Sequence, residues 1–179
     1  MSAAVLARGR TVITSAAREP EIVDLGQFLI ALGARIDGLG TSVIEIDGVD
    51  VLAGASYRII PDRIEAGTLL IAAAIAGGCA RVTGANAGHL AAVLETLTEA
   101  GAQIEVAGSA ISATMRGRPR PLSFDARPYP GVPTDLQAQL LALASLADGT
   151  SRVRDLVFPD RFPHGDELAR VGARAVRRG

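Results

Sequence analysis

The sequence contains no lysine: each of its 18 basic residues is an arginine. No lysine amine is therefore present to form a Schiff base or to clamp a phosphate as a compact point charge, and any bound anion must be held by arginine or by backbone. Cysteine occurs once, at Cys79, which excludes an internal disulfide framework. With only His89 and His164 beside it, no structural zinc set can be assembled, so neither a metal nor a cofactor is expected. Tryptophan is absent and aromatics make up 3% of the chain. Charge is balanced at a formal −1, so there is no basic field to attract nucleic acid or an anionic membrane surface. No apolar run approaches the ~18 residues that span a bilayer. The opening Met1-Ser2-Ala3-Ala4-Val5-Leu6-Ala7 lacks a basic leader region and meets Arg8 and Gly9 too soon for a secretory segment, so the expected compartment is the cytoplasm.

What is present is a repeat at domain-like spacing. Three segments end in glycine as a helix would: Leu6-Ala7-Arg8-Gly9, Ile75-Ala76-Gly77-Gly78 and Leu146-Ala147-Asp148-Gly149. Each is followed by a β-prone run, Arg10-Thr11-Val12-Ile13, Ala80-Arg81-Val82-Thr83 and Ser151-Arg152-Val153-Arg154, and then by a loop and an amphipathic helix. Those helices close on Leu32-Gly33-Ala34, Ala100-Gly101-Ala102 and Val171-Gly172-Ala173, with the glycines 68 and 71 residues apart. The first two copies continue into alternating hairpins, Arg35-Ile36 to Ile46 and Gln103-Ile104 to Ala113. The unit is strand, helix, strand, helix, hairpin, which makes the fold class α/β (α+β). Its first helix is announced by Asp62-Arg63-Ile64-Glu65 and by Thr134-Asp135-Leu136-Gln137, both read as capping boxes. At the start only Ser2 to Arg8 stand where that helix belongs, short of the ~12 residues at which an isolated helix becomes marginal. After Gly172-Ala173 the residues Arg174 to Gly179 leave no room for a hairpin. The spacing thus predicts a chain that opens and closes inside repeat units.

Two loops carry the candidate chemistry. In Tyr129-Pro130-Gly131-Val132-Pro133, two prolines and a glycine deliver Asp135 onto a first helical turn, where a carboxylate can act as a general base toward a hydroxyl or simply complement the helix dipole. In Phe158-Pro159-Asp160-Arg161-Phe162-Pro163-His164, Arg161 can meet a carboxylate or phosphate through a bidentate fork or form an ordinary loop salt bridge. Arg18-Glu19-Pro20-Glu21 occupies the equivalent place in the first copy and is equally explained by proline at N1 with acids in a first turn. His89 and His164 lack a nucleophile partner at a known spacing, which favours solvent-facing or capping roles. Cys79, next to Gly78, reads as a small filler at a turn.

Four stretches in order, Ala16-Ala17-Arg18-Glu19-Pro20-Glu21-Ile22, Pro61-Asp62-Arg63-Ile64-Glu65-Ala66-Gly67-Thr68, Pro133-Thr134-Asp135-Leu136-Gln137-Ala138-Gln139 and Arg161-Phe162 through Glu167-Leu168, resemble the UDP-N-acetylglucosamine 1-carboxyvinyltransferase family over nearly the whole chain. The likeness is greater than to the sister enolpyruvyl transferase of the shikimate pathway. It implies an inside-out barrel of six such units, three per domain, with substrates held between domains. On that pattern residues 1–57 are the last unit of a first domain, 58–64 the crossing, and 65–179 a second domain with one full and one incomplete unit. The resemblance implies that Asp135 contacts and deprotonates the 3′-hydroxyl of UDP-N-acetylglucosamine, that Arg161 lies near the reacting phosphoenolpyruvate, and that Val157 lines the sugar-nucleotide site. Arg18 and Glu19 follow as weaker candidates. The family's loop cysteine, an N-terminal lysine and asparagine, its nucleotide-gripping arginines, and a later aspartate and arginines match no position here, and Cys79 does not correspond to that cysteine. Pro159 departs from the family's usual acid two places before the arginine. The implied partners are the two small-molecule substrates and a chain supplying the remaining units; the alternatives are a noncatalytic remnant that binds a ligand or partner, and a sister transferase acting on another hydroxylated substrate.

Overall fold

A computed structural model describes residues 1–176, which divide into two compact units, Met1–Ile60 and the chain from Pro61 onward. In the first unit, β1 (Arg10–Thr14), β2 (Arg35–Asp37) and β3 (Val43–Asp47) form an antiparallel sheet in the order β1-β3-β2. Alternation along β3 turns Ile44 and Ile46 inward, where Ile46 opposes both Thr11 and Ile36 in register. Helix α1 (Pro20–Ala31) adds Leu29 to this core, which also takes Val5 from a short 3₁₀ turn at Ala4–Leu6. Proline at N1 and Glu21 in the first turn account for the start of α1 as the sequence suggests. The segment after β3 is held by Tyr57, whose ring meets Phe28 at 5.4 Å and whose hydroxyl donates to the Asp24 carboxylate at 2.8 Å.

The second unit contains α2 (Arg63–Ile75), β4 (Cys79–Val82), α3 (Ala91–Ala100), β5 (Gln103–Ala107), β6 (Ala110–Thr114), β7 (Ser123–Ala126), α4 (Gln137–Ala144), β8 (Arg152–Asp155) and α5 (Pro163–Arg170). Strands β4-β6-β5 repeat the antiparallel order of the first sheet, while β7 and β8 pair in parallel. Helices α2, α3 and α4 bury Leu70, Ile71, Leu97, Leu140 and Leu143 in one core with Ile111 and Met115. Asp62 caps α2, its carboxylate accepting from the amides of Ile64 and Glu65 at 2.7 and 3.0 Å.

The repeated helix endings share one geometry. Gly33, Gly101 and Gly172 all have φ between +101° and +105°, and in each copy the next amide reaches back five residues, Ala34 to Leu29, Ala102 to Leu97 and Ala173 to Leu168. This is the Schellman closure, in which a residue without a Cβ takes the left-handed position. Other expectations need correction. Thr134 does not cap α4: residues Thr134–Leu136 form a 3₁₀ turn, and the hydroxyl donates instead to the buried Asp155 carboxylate. The hydroxyl proton goes to a buried acceptor that would otherwise lack this donor, and that bond turns the threonine toward the end of β8. Helix α4 ends at Ala144, five residues before the glycine read as its stop. Cys79 is exposed and opens β4 rather than filling a turn. Residues 173–176 form neither helix nor strand, and the rest of the expected missing hairpin falls in 177–179, outside the described residues.

Candidate functional site

The site is built on a loop, a turn and a strand end. Strand β7 leads into residues 127–132, a loop closed by the Arg127 amide on the Val132 carbonyl at 2.9 Å and by the Gly131 amide on the Pro128 carbonyl at 3.0 Å. The Tyr129-Pro130 peptide within it is cis. The loop is docked from outside by Arg63, a buried arginine whose guanidinium lies 5.6 Å from the centre of the Tyr129 ring. Pro133 then starts the 3₁₀ turn that carries Asp135, with Leu136 anchored at zero exposure in the core.

Strand β8 runs parallel to β7 and ends at Asp155, which is 3% exposed. Its Oδ1 accepts from the amides of Val157 and Phe158 at 2.9 and 2.8 Å, while Oδ2 accepts from the Thr134 hydroxyl. One carboxylate thereby holds the start of the 157–161 loop and the start of the Asp135 turn. At the far end of that loop the Arg161 amide donates to the Phe158 carbonyl at 3.0 Å, and the Arg161 guanidinium stands 5.7 Å from the Phe158 ring centre. Arg161 Nη1 donates to Asp135 Oδ1 at 3.1 Å. Val157, Phe158, Pro159, Asp160 and Arg161 line an open concavity of ≈ 490 Å³. Behind it, the half-buried His164 ring lies 5.8 Å from Phe162; burial, and after it the positive charge of Arg161, lower its pKa from the usual value.

On the flank of the β7-β8 pair, Asp125 accepts from Arg154 Nε and Nη2, each at 2.6 Å, and from Arg127 Nη2 at 2.7 Å. Those hydrogen bonds, Arg154's first, hold its carboxyl far below the usual carboxylate range. This cluster fastens the strand ends that emerge on either side of the site.

Of the residues singled out by sequence, Asp135 and Arg161 meet directly and Val157 lies on the same concavity as Arg161. Arg18 and Glu19 belong to the other compact unit, immediately before α1. His89 ends a 3₁₀ turn capped by Asn86, whose amide nitrogen is 3.1 Å from the ring Nε2, in keeping with a local role. Asp155 does not stand out in the sequence as a site residue; an acid closing the alternation Arg152-Val153-Arg154 just before the apolar Leu156-Val157-Phe158 is the signal it leaves. Among the described residues there is no cluster of histidine, cysteine and acids able to hold a metal, and no helix is long and apolar enough to cross a membrane.

Comparison with known proteins gives this arrangement its family. The chain is 52% identical over 174 residues to the UDP-N-acetylglucosamine 1-carboxyvinyltransferase of Acidobacterium capsulatum and 51% identical over 174 residues to that of Methylocella silvestris, covering 97% of this chain in both. It spans 40% and 41% of the length of those relatives. Among solved structures, the enolpyruvyl transferase NikO from Streptomyces tendae superposes with a TM-score of 0.83 at 27% identity, over 97% of this chain and 42% of its own. The family described as EPSP synthase (3-phosphoshikimate 1-carboxyvinyltransferase) matches residues 1–179, and the chain belongs to that family of enolpyruvyl transferases.

Proposed function

We propose that this chain is part of an enzyme that transfers the enolpyruvyl group of phosphoenolpyruvate to the 3′-hydroxyl of UDP-N-acetylglucosamine, a cytoplasmic step of peptidoglycan precursor synthesis. The observation that carries the reading is the Asp135–Arg161 contact on the rim of the 157–161 concavity, a base and a cation at one place. The names of the two carboxyvinyltransferase relatives favour the sugar nucleotide over the shikimate-type acceptor.

In this reading Asp135 takes the proton of the 3′-hydroxyl as its oxygen adds to C2 of phosphoenolpyruvate, while C3 gains a proton from an acid. The tetrahedral adduct then loses phosphate and a C3 proton, leaving the enol ether. Arg161 balances the anionic charge of phosphoenolpyruvate, and Val157 lines the sugar-nucleotide site. Arg18 and Glu19 are proposed as additional substrate contacts. The 3.1 Å ion pair joins side chains that are about half exposed. Such pairs are worth roughly 0–1 kcal/mol, so Arg161 can turn from Asp135 to an incoming anion at little cost, leaving the carboxylate free to act as base.

Because the chain spans about 40% of those relatives, the test pairs it with a separately made chain covering the remainder of the relative's length. Phosphate release from phosphoenolpyruvate is followed with UDP-N-acetylglucosamine and, separately, with shikimate 3-phosphate. The expected result is turnover on mixing, with the sugar nucleotide only. Catalysis depends on groups acting together in the transition state, so the 179-residue chain by itself is expected to show none. Turnover with shikimate 3-phosphate would transfer the assignment to the sister reaction, and silence of a folded mixture would favour a noncatalytic binding role.

A further inference from the structure

We infer that Asp155 is the positioning residue of this site, the group that fixes the separation between the base turn and the arginine loop; the inference rests on the reading of Asp135 and Arg161 above. The two segments come from different elements, the turn before α4 and the loop after β8. Neither is continuous in sequence with the other, so their spacing rests on the β7–β8 pairing beneath them and on the contacts that join the two segments. The Asp135–Arg161 ion pair is exposed and cannot set it.

Asp155 can. Its carboxylate is buried and accepts three hydrogen bonds, two from the amides that begin the arginine loop and one from the residue immediately before Asp135. Hydrogen bonds to a buried carboxylate are stronger than neutral ones, and a buried acceptor that loses its donors costs more than an exposed one. Parallel pairing of Ala126 with Asp155 places the acid at the level where the 127–132 loop departs, so strand register delivers the carboxylate to both segments. The hydrogen bonds of Asp155 go to Thr134, Val157 and Phe158 rather than to Asp135 or Arg161. It acts through Thr134 on one side and through the Val157 and Phe158 amides on the other.

The experiment uses the whole 179-residue chain in three forms, Thr134→Val, Thr134→Ser and Asp155→Ala, against the unaltered chain. Thr134→Val keeps the side-chain shape and removes only the hydroxyl that bridges the segments. Two signals are read by NMR without ligand: amide exchange at Val157 and Phe158, and ¹⁵Nε relaxation of Arg161, with the exposed Arg81 as reference. The expected result is that Thr134→Val, still folded, brings Arg161 mobility toward that of Arg81, and that Thr134→Ser restores it. Amide exchange at 157 and 158 should rise strongly in Asp155→Ala and modestly in Thr134→Val. UDP-N-acetylglucosamine affinity should fall about tenfold in Thr134→Val, the scale of one lost hydrogen bond. Unchanged Arg161 relaxation in a folded Thr134→Val chain would overturn the inference and leave Asp155 as a local loop cap. If Asp155→Ala fails to fold, the threonine pair still decides. If the unaltered chain binds no UDP-N-acetylglucosamine, the proposed function is weakened, yet the relaxation measurement still decides the role of Asp155.

Discussion

Arg161 donates from Nη1 to Oδ1 of Asp135 across 3.1 Å, joining side chains 26 positions apart on two segments that share no backbone. On the proposed reading, the pair masks the base with the cation that the reaction needs elsewhere. The same reading has substrate entry separate them, freeing the carboxylate for the proposed hydroxyl and the guanidinium for the proposed phosphoenolpyruvate.

Asp135→Asn preserves side-chain volume and one acceptor oxygen but removes the basic site. In the mixture of complementary chains, turnover should fall at least ~100-fold, the scale of losing a general base. The unfolding midpoint should stay close to that of the unaltered chain, because an exposed ion pair contributes little to stability. Near-normal turnover with an unchanged pH profile would return Asp135 to the role of a helix-end acid.

The stretch from Gly48 to Asp62 contains neither helix nor strand, and its Ile59 is 75% exposed. We propose the interdomain crossing at 58–64, so thermolysin, which cuts before large apolar residues, should cleave first at Ile59 or Ile60 and release two protease-resistant pieces. Mass spectrometry of the early products reads the outcome. Initial cleavage inside Ile71 to Ile75, where α2 is packed, would place the weak point elsewhere.

Much of this architecture is legible because three helices end on the same left-handed glycine and two hairpins alternate cleanly after it. Those are local signals, a φ that only glycine adopts freely and a period of two. The strand β7 left no such trace: it is four residues long and follows Arg118-Pro119-Arg120-Pro121, so only its parallel partner β8 reveals it. Thr134 misleads for a related reason. Its position three residues before Gln137 matches a capping box, but the competing acceptor, Asp155, is 21 positions away and enters only when the sheet forms. Asp135 and Arg161 stand out by loop chemistry and by family resemblance, whereas their 3.1 Å contact could be read from neither.

His164 offers a pH signature. Burial, with a smaller contribution from the Arg161 charge, lowers its pKa in the folded chain below the ~6.5 of an unfolded histidine. The unfolded chain therefore binds this proton more readily, and the neutral ring's contribution is intact above pH ~6.5 and is lost as the pH falls through the lowered value. Urea unfolding should show a lower free energy at pH 5.5 than at pH 7.5, a window above the titration of ordinary carboxylates. His164→Gln should flatten that difference. Equal pH dependence in both chains would mean that the ring does not carry it.

Gly67 tests how firmly the core holds the Asp135 turn. A Cβ built at this position would stand 2.5 Å from Leu136 Cδ1 and 3.3 Å from Leu90 Cδ2, and both leucines are almost wholly buried. Alanine would gain up to ~1 kcal/mol in helix propensity, which offsets part of the clash. Gly67→Val gains less and adds two further methyls against Leu136, so it should destabilise the chain by about 1–3 kcal/mol, the range for overpacking a filled core. Leu136 directly follows Asp135, and displacement of its side chain should also perturb the base turn. Urea denaturation measures the first effect, and amide shifts of 134–136 in the folded variant measure the second. A Gly67→Val chain with unchanged stability and unchanged shifts at 134–136 would show that α2 leaves room around Leu136, and that the orientation of Asp135 is governed by the 127–132 loop and the Asp155 bridge instead.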